Sequence, residues 1–164
     1  MGAIWRYTDD RCRVCQNEEV RVRLSEISGI LGGRNVLRGD VASRMDMIEL
    51  SNRGISKDAL LRLAGYLSMS IGQMAELLPV SERTIQRYTR RQRFNPATSE
   101  QILEIAEVAV RGAEVFGERG KFLSWMRSPC SALGNRTPAS LLRSRFGTEV
   151  VLDELGRFEH GVLS

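Results

Sequence analysis

The 164-residue sequence predicts an all-α protein in which a helix-turn-helix domain is joined by a long helix to a second, small helical domain. Two observations carry that prediction. Apolar residues recur every three or four positions through most of the chain after residue 40, the period of helices with one buried face. Residues 71–93, IGQMAELLPVSERTIQRYTRRQR, then read as two short helices joined by a tight turn. Ile71, Met74, Ala75 and Leu78 share one face of the first helix, and Ser81 suits the N-cap of the second, its hydroxyl accepting from the next turn's free N–H groups. Ile85 and Tyr88 point inward, which leaves Arg83, Thr84, Gln86, Arg87, Arg90 and Arg91 outside. The second helix of a helix-turn-helix lies in the DNA major groove. Arg reads guanine there and Gln adenine, so these six residues are the candidate DNA contacts. An ordinary helical hairpin with a solvated arginine face is the competing reading.

Composition sets the outer bounds. Hydrophobic residues make up 42% and charged residues 27%, ordinary for a soluble globular chain. No apolar run approaches the ~18 residues of a membrane span, and the opening MGAIWRYTDD lacks a signal-peptide core. A cytoplasmic protein with no membrane partner is expected. The net charge of +4 is unevenly spread: residues 1–54 contribute +1, residues 55–97 contribute +4 and residues 98–164 contribute −1. The excess sits around the helix-turn-helix, the footprint of a phosphate-contacting surface. Cys12 and Cys15 form a C-x-x-C, but no second Cys/His pair stands at ligand spacing, and the one histidine, His160, is far away. A structural zinc site takes about four ligands, so no metal is expected unless ligands are shared between chains. Cys130 has no obvious partner, and a cytosolic chain needs no disulfide.

Each element follows from local signals. Val20, Val22 and Leu24 alternate with Arg21 and Arg23, a weak strand pattern, while Ile27, Ile30 and Leu31 suit a short helix ended by Gly32 and Gly33. Residues 1–38 are therefore set apart as an N-terminal arm. Residues 39–97 form the expected helix-turn-helix domain. Asp40 is the expected cap of a helix over residues 41–52, with Val41, Met45, Ile48 and Met47 inward and Gly54 as its stop. Ser56 caps the next helix, residues 57–67, with Leu60, Leu61, Leu63, Ala64 and Leu67 apolar. Asn95-Pro96 marks a break. Residues 98–164 form the expected second domain, opened by Thr98 or Ser99 with a connecting helix to Phe116. Ile102, Ile105, Ala106, Ala109, Ala113 and Phe116 form its stripe, Val108 and Val110 widen it, and Glu100 gives it an acidic first turn. Phe122, Leu123, Trp125 and Met126 form a short amphipathic helix. Pro138 opens another, with Leu141, Leu142 and Phe146 inward and Gly147 as its end. Thr148 caps the last helix, on which Val150, Val151, Leu155 and Phe158 are apolar.

The C-terminal pattern is specific. Trp125, Pro129, Ala132-Leu133-Gly134, Pro138 and Leu141-Leu142, followed by Gly147, Val150, Leu155 and Gly161-Val162, resemble the toxin-binding domain of Xre/MbcA/ParS-type antitoxins, partners of RES-domain toxins in type II toxin–antitoxin pairs. Gly54-Ile55-Ser56-Lys57, the helix-turn-helix and the long helix into Phe116-Gly117 extend the likeness over roughly residues 50–164. The resemblance implies an Xre-like DNA-binding domain and a helical toxin-binding domain. It implies an antitoxin that covers the active site of a toxin consuming NAD or transferring ADP-ribose, and that represses its own operon. On this sequence it points to Trp125, Arg136, Arg157, His160, Gly161, Val162 and Leu163 as toxin contacts, with residues 160–163 occluding the active-site entrance. Trp125, Leu133 and Leu142 equally suit the core, as large apolar residues at helical spacing usually pack internally.

One position departs from the usual helix-turn-helix pattern: Pro79 stands where the turn commonly has glycine. Proline fixes φ near −65°, so the turn takes another conformation or the helices cross at another angle, and either bears on DNA binding. A homodimer is expected, because operator half-sites are usually read by two-fold symmetric proteins. The alternative function is a plain helix-turn-helix repressor whose C-terminal helices dimerise or sense a ligand. An enzyme is not expected: no carboxylate pair, nucleophile elbow or phosphate-cradling loop stands out, and no cofactor is implied.

Overall fold

The computed structural model describes residues 21–37, 41–159 and 161. Among these the chain is helical, with isolated bridges in place of a sheet. The first helix, α1, covers the described residues 21–30. It is followed by α2 (Gly33–Leu37), α3 (Arg44–Arg53), α4 (Lys57–Leu67), α5 (Ile71–Leu77), α6 (Glu82–Arg87), α7 (Pro96–Phe116), α8 (Arg119–Arg127), a 3-10 turn at Ser131–Leu133, α9 (Pro138–Leu141) and α10 (Arg145–Glu159). The strand pattern around residue 22 gives way to helix. Leu24, Ile27 and Leu31 are buried at helical spacing while Val22 is exposed, so burial of one helical face overrides the local alternation.

The 21-residue α7 is the spine. Ile102, Ile105, Ala106 and Ala109 are buried, but so are Leu103, Val108, Val110 and Gly112, because α3 packs on one side and α8 and α10 on another. The helix starts at Pro96, two or three residues before its expected opening. Asn95 caps it, its side chain accepting from the Thr98 N–H at 2.8 Å, and Pro96 occupies the first turn. The first turn is therefore not acidic. Thr98 and Ser99 are buried, and the Ser99 hydroxyl accepts from the Ile55 N–H at 2.8 Å and donates to the Phe94 carbonyl, tying the spine to the loops on either side of α4–α6.

Several further expectations shift. Asp40 lies outside the described residues, and Ser43 is the cap of α3, closing a capping box with Asp46. The Ala42 and Ser43 N–H groups and the Ser43 hydroxyl hold the Asp46 carboxyl below the usual range. With α3 phased this way Leu50 faces the core, whereas Met45 and Ile48 are 64% and 52% exposed. At the other end, α10 begins at Arg145 and runs through both Gly147, the expected stop, and Thr148, the expected cap. The Ser144 hydroxyl caps it by accepting from the Gly147 N–H. Gly147 is there for space, since a β-carbon would overlap the Leu141 carbonyl. Thr148, Val151 and Leu155 then face inward, and Phe146 and Val150 fall outside at 80% and 47% exposure.

Candidate functional site

Helices of seven and six residues do not persist alone; α5 and α6 exist because their caps and core contacts hold them. Ser70 and Gln73 close a capping box on α5, and the Ser81 hydroxyl accepts from the Thr84 N–H at 3.2 Å on α6. Met74 and Ile85 are fully buried between them, each stabilising by roughly 1.5–3 kcal/mol. The turn, residues 78–81, contains no residue at positive φ, and Leu78 is extended at φ −115°, ψ 151°. Pro79 thus stands in a turn that does not need the left-handed conformation glycine would supply.

On α6, Arg83 and Arg87 are one turn apart, opposite Ile85, and exposed; no ion pair occupies either among the described residues. Gln86 is exposed but its amide donates to the Glu82 carboxylate at 2.9 Å, so it must let go to reach a base. Thr84 is half-buried, its hydroxyl 2.9 Å from that of Ser81. The helix stops at Arg87, earlier than the arginine row suggests, and Arg90 and Arg91 sit in the following turn. The reason lies in α4. The Lys57 ammonium donates to the Gln86 and Tyr88 carbonyls at 3.1 and 2.8 Å, satisfying groups that a helix end leaves open. The Asp58 and Lys57 N–H groups take the Arg90 and Gln92 carbonyls, and Tyr88 stacks on Phe94 at 5.2 Å. Arg90 pairs with Asp58 at 3.2 Å, whereas Arg91 is exposed.

The C-terminal module closes over an aromatic cluster. Phe116 meets Trp125 and Phe158 at 5.5 and 5.6 Å, and Trp125 stands edge-on to Phe158 at 5.9 Å. Trp125 is half-buried in this cluster, and its indole N–H is buried without an acceptor among the described residues. Leu133 and Leu142 are core. Arg136 is exposed on a loop closed by the Cys130–Arg136 bridge, with Gly134 and Asn135 in the left-handed region at its tip. Arg157 pairs with Glu154, and Gly161 follows α10 at φ 68°. His160, Val162 and Leu163 lie outside the described residues, as do Cys12 and Cys15. Sequence reasoning missed Phe146 and Val150. With the true start of α10 they join Asp153 and Arg157 on one outward face of the helix, and only the helix phase could have revealed that.

Residues 46–107 match the model of the antitoxin Xre-like helix-turn-helix domain, and residues 111–161 match the antitoxin Xre/MbcA/ParS C-terminal toxin-binding domain. An Antitoxin Xre of Yersinia enterocolitica is 32% identical over 120 residues, covering 72% of this chain and 81% of that protein. The chain belongs to the Xre antitoxin family. An Antitoxin Xre of Photorhabdus laumondii is 31% identical over 94 residues, covering 54% of this chain and 64% of the relative. Among solved structures, a chain of the M. tuberculosis MbcT-MbcA toxin-antitoxin complex superposes with a TM-score of 0.52 at 25% identity, covering 66% of this chain and 96% of that one. In this antitoxin, α3–α6 and most of α7 thus make up the helix-turn-helix match, and α8–α10 with the end of α7 make up the toxin-binding match.

Proposed function

We propose that this antitoxin neutralises a RES-domain toxin, an enzyme that consumes NAD or transfers ADP-ribose from it, by docking its C-terminal module over the toxin's active-site entrance. The observation that carries the reading is the exposed apolar pair Phe146 and Val150 on α10, inside the residues matched by the toxin-binding domain and on the same face as Arg157. Aromatic residues and arginine are enriched at protein interfaces, and here Val150 extends the apolar area beside Phe146. His160, Gly161, Val162 and Leu163, next in the chain after α10, are proposed to enter the toxin's cleft, with Trp125 joining α8 to α10 and Arg136 at the margin. The protein itself performs no covalent chemistry.

The second half of the proposal is autorepression. A homodimer in the cytoplasm, alone or with toxin, would place α6 in successive major grooves of its own operator. Arg83 and Arg87 would reach base edges there, flanked by Thr84 and Gln86, with Arg90 and Arg91 on phosphates. The two exposed arginines opposite Ile85, without an ion pair among the described residues, support this.

Growth rescue tests the first half. Co-expression with the product of the adjacent reading frame should restore growth and yield a stable complex. Removing residues 161–164 should weaken rescue more than it weakens complex formation. Full protection by the shortened chain would remove the occlusion step from the proposal.

A further inference from the structure

Beyond the C-terminal end of α6 the surface continues into a cleft of about 460 Å³, lined by Asn35 and Val36 of α2, Asp58 of α4, and Arg90, Arg91 and Arg93 of the turn leading to α7. The lining carries three arginines and one aspartate; the Asp58 carboxylate already pairs with Arg62 and Arg90, and the Arg93 guanidinium donates to the Gly54 carbonyl. The N–H groups at the start of α4 are taken by the Gln92 and Arg90 carbonyls, so the cleft's attraction for anions comes from the arginines. A second, smaller cleft is lined by Thr84 and Arg87 of α6 and by Tyr88 and Gln92 of the segment that also carries Arg90, Arg91 and Arg93.

Length bears on what this surface does. A six-residue helix is about 9 Å long; it can enter a groove, but contacts to the flanking sugar-phosphate strands must come from its neighbours, and such contacts fix the register of a protein on a duplex. We propose that the cleft between α2 and the α6–α7 turn receives backbone phosphates of the duplex whose groove α6 enters, making α2 part of the DNA-binding surface. This rests on the DNA-binding reading of α6 and extends it. Arg90, Arg91 and Arg93 lie inside the helix-turn-helix match, whereas α2 precedes both family matches, so the α2 side of the cleft is what the proposal adds.

Asn35 is exposed, so its charge can be changed without disturbing the core. The full chain would be titrated, across a range of salt, against a duplex from upstream of its own reading frame and a scrambled duplex of the same composition. Thermal melts would verify that each variant folds. Asn35→Asp should weaken both duplexes by a similar factor, and Asn35→Arg should tighten both and steepen the salt dependence by about one unit, the signature of one more phosphate contact. Arg87→Ala, in contrast, should reduce the preference for the upstream duplex. If both Asn35 variants keep the parent affinity and salt slope while Arg87→Ala is impaired, the cleft proposal is wrong and the α6 reading stands. If the parent chain binds neither duplex, both are wrong.

Discussion

The Arg119 guanidinium lies over the Tyr66 ring, 5.2 Å from its centroid, and donates to the Tyr66 carbonyl at 2.7 Å. It also reaches the Gly65 carbonyl and the Ser68 hydroxyl, while Arg127, two turns further along α8, donates to the Leu67 and Ser68 carbonyls. The last carbonyls of α4 are thus capped by two cations from the toxin-binding module, at the end of the helix where the dipole favours positive charge. One module is pinned to the other immediately before α5.

Replacing both arginines by alanine should loosen that joint without unfolding either module. We expect a loss of about 1–3 kcal/mol and faster hydrogen exchange over residues 66–69. Arg119→Lys should rescue only part of this, because lysine lacks the planar fork that reaches several acceptors at once. Unchanged exchange in the double variant would show that the joint is held by other contacts.

Gly112 tests the packing of the spine. A β-carbon there would overlap the Phe122 ring, which is fully buried. Gly112→Ala should therefore destabilise by about 1–3 kcal/mol despite the better helix propensity of alanine. At roughly 2–4 °C per kcal/mol for a chain of this size, the fall in melting temperature is readily measured.

Glu104 predicts a pH dependence. Burial first, and then the neighbouring Glu100, raise its carboxyl above the ordinary value, with Glu107 and Glu149 adding and Arg145 opposing. One of its oxygens is buried without a partner among the described residues. A raised folded-state pKa on an acid means that ionisation costs stability at neutral pH. The cost shrinks as pH falls through the raised pKa and is absent below the ordinary glutamate value. Glu104→Gln should raise the melting temperature at pH 7, with the difference gone below about pH 4. An equal difference at both pH values would assign it to something other than ionisation.

Much of this fold is legible in the chain because the signals are local. Ser56 and Ser81 cap where their hydroxyls suggest, and Gly54, at φ 85°, ends α3. What is not legible depends on phase and on distant partners. One misplaced start turns Phe146 and Val150 from core into surface, because a helix rotates 100° per residue. Gly147 reads as a stop but is a close approach to Leu141. The arginine row after Ile85 reads as one helix, yet Lys57, some thirty residues earlier, takes the carbonyls at which α6 ends.

The exposed pair on α10 separates binding from folding. Phe146→Asp and Val150→Asp should leave the melting temperature within the range of ordinary surface substitutions, about 0.5 kcal/mol, and weaken the complex with toxin at least tenfold. Loss of stability on a par with loss of affinity would place both residues in the core.

The proposed function has this antitoxin silence its toxin by covering the active site. It is tested most directly by measuring NAD consumption by the purified cognate toxin as the full chain is added. We expect consumption to cease at a fixed molar ratio, and to persist when a chain lacking residues 161–164 is bound in the same complex. Undiminished turnover in a stable complex with the full chain would contradict the claim.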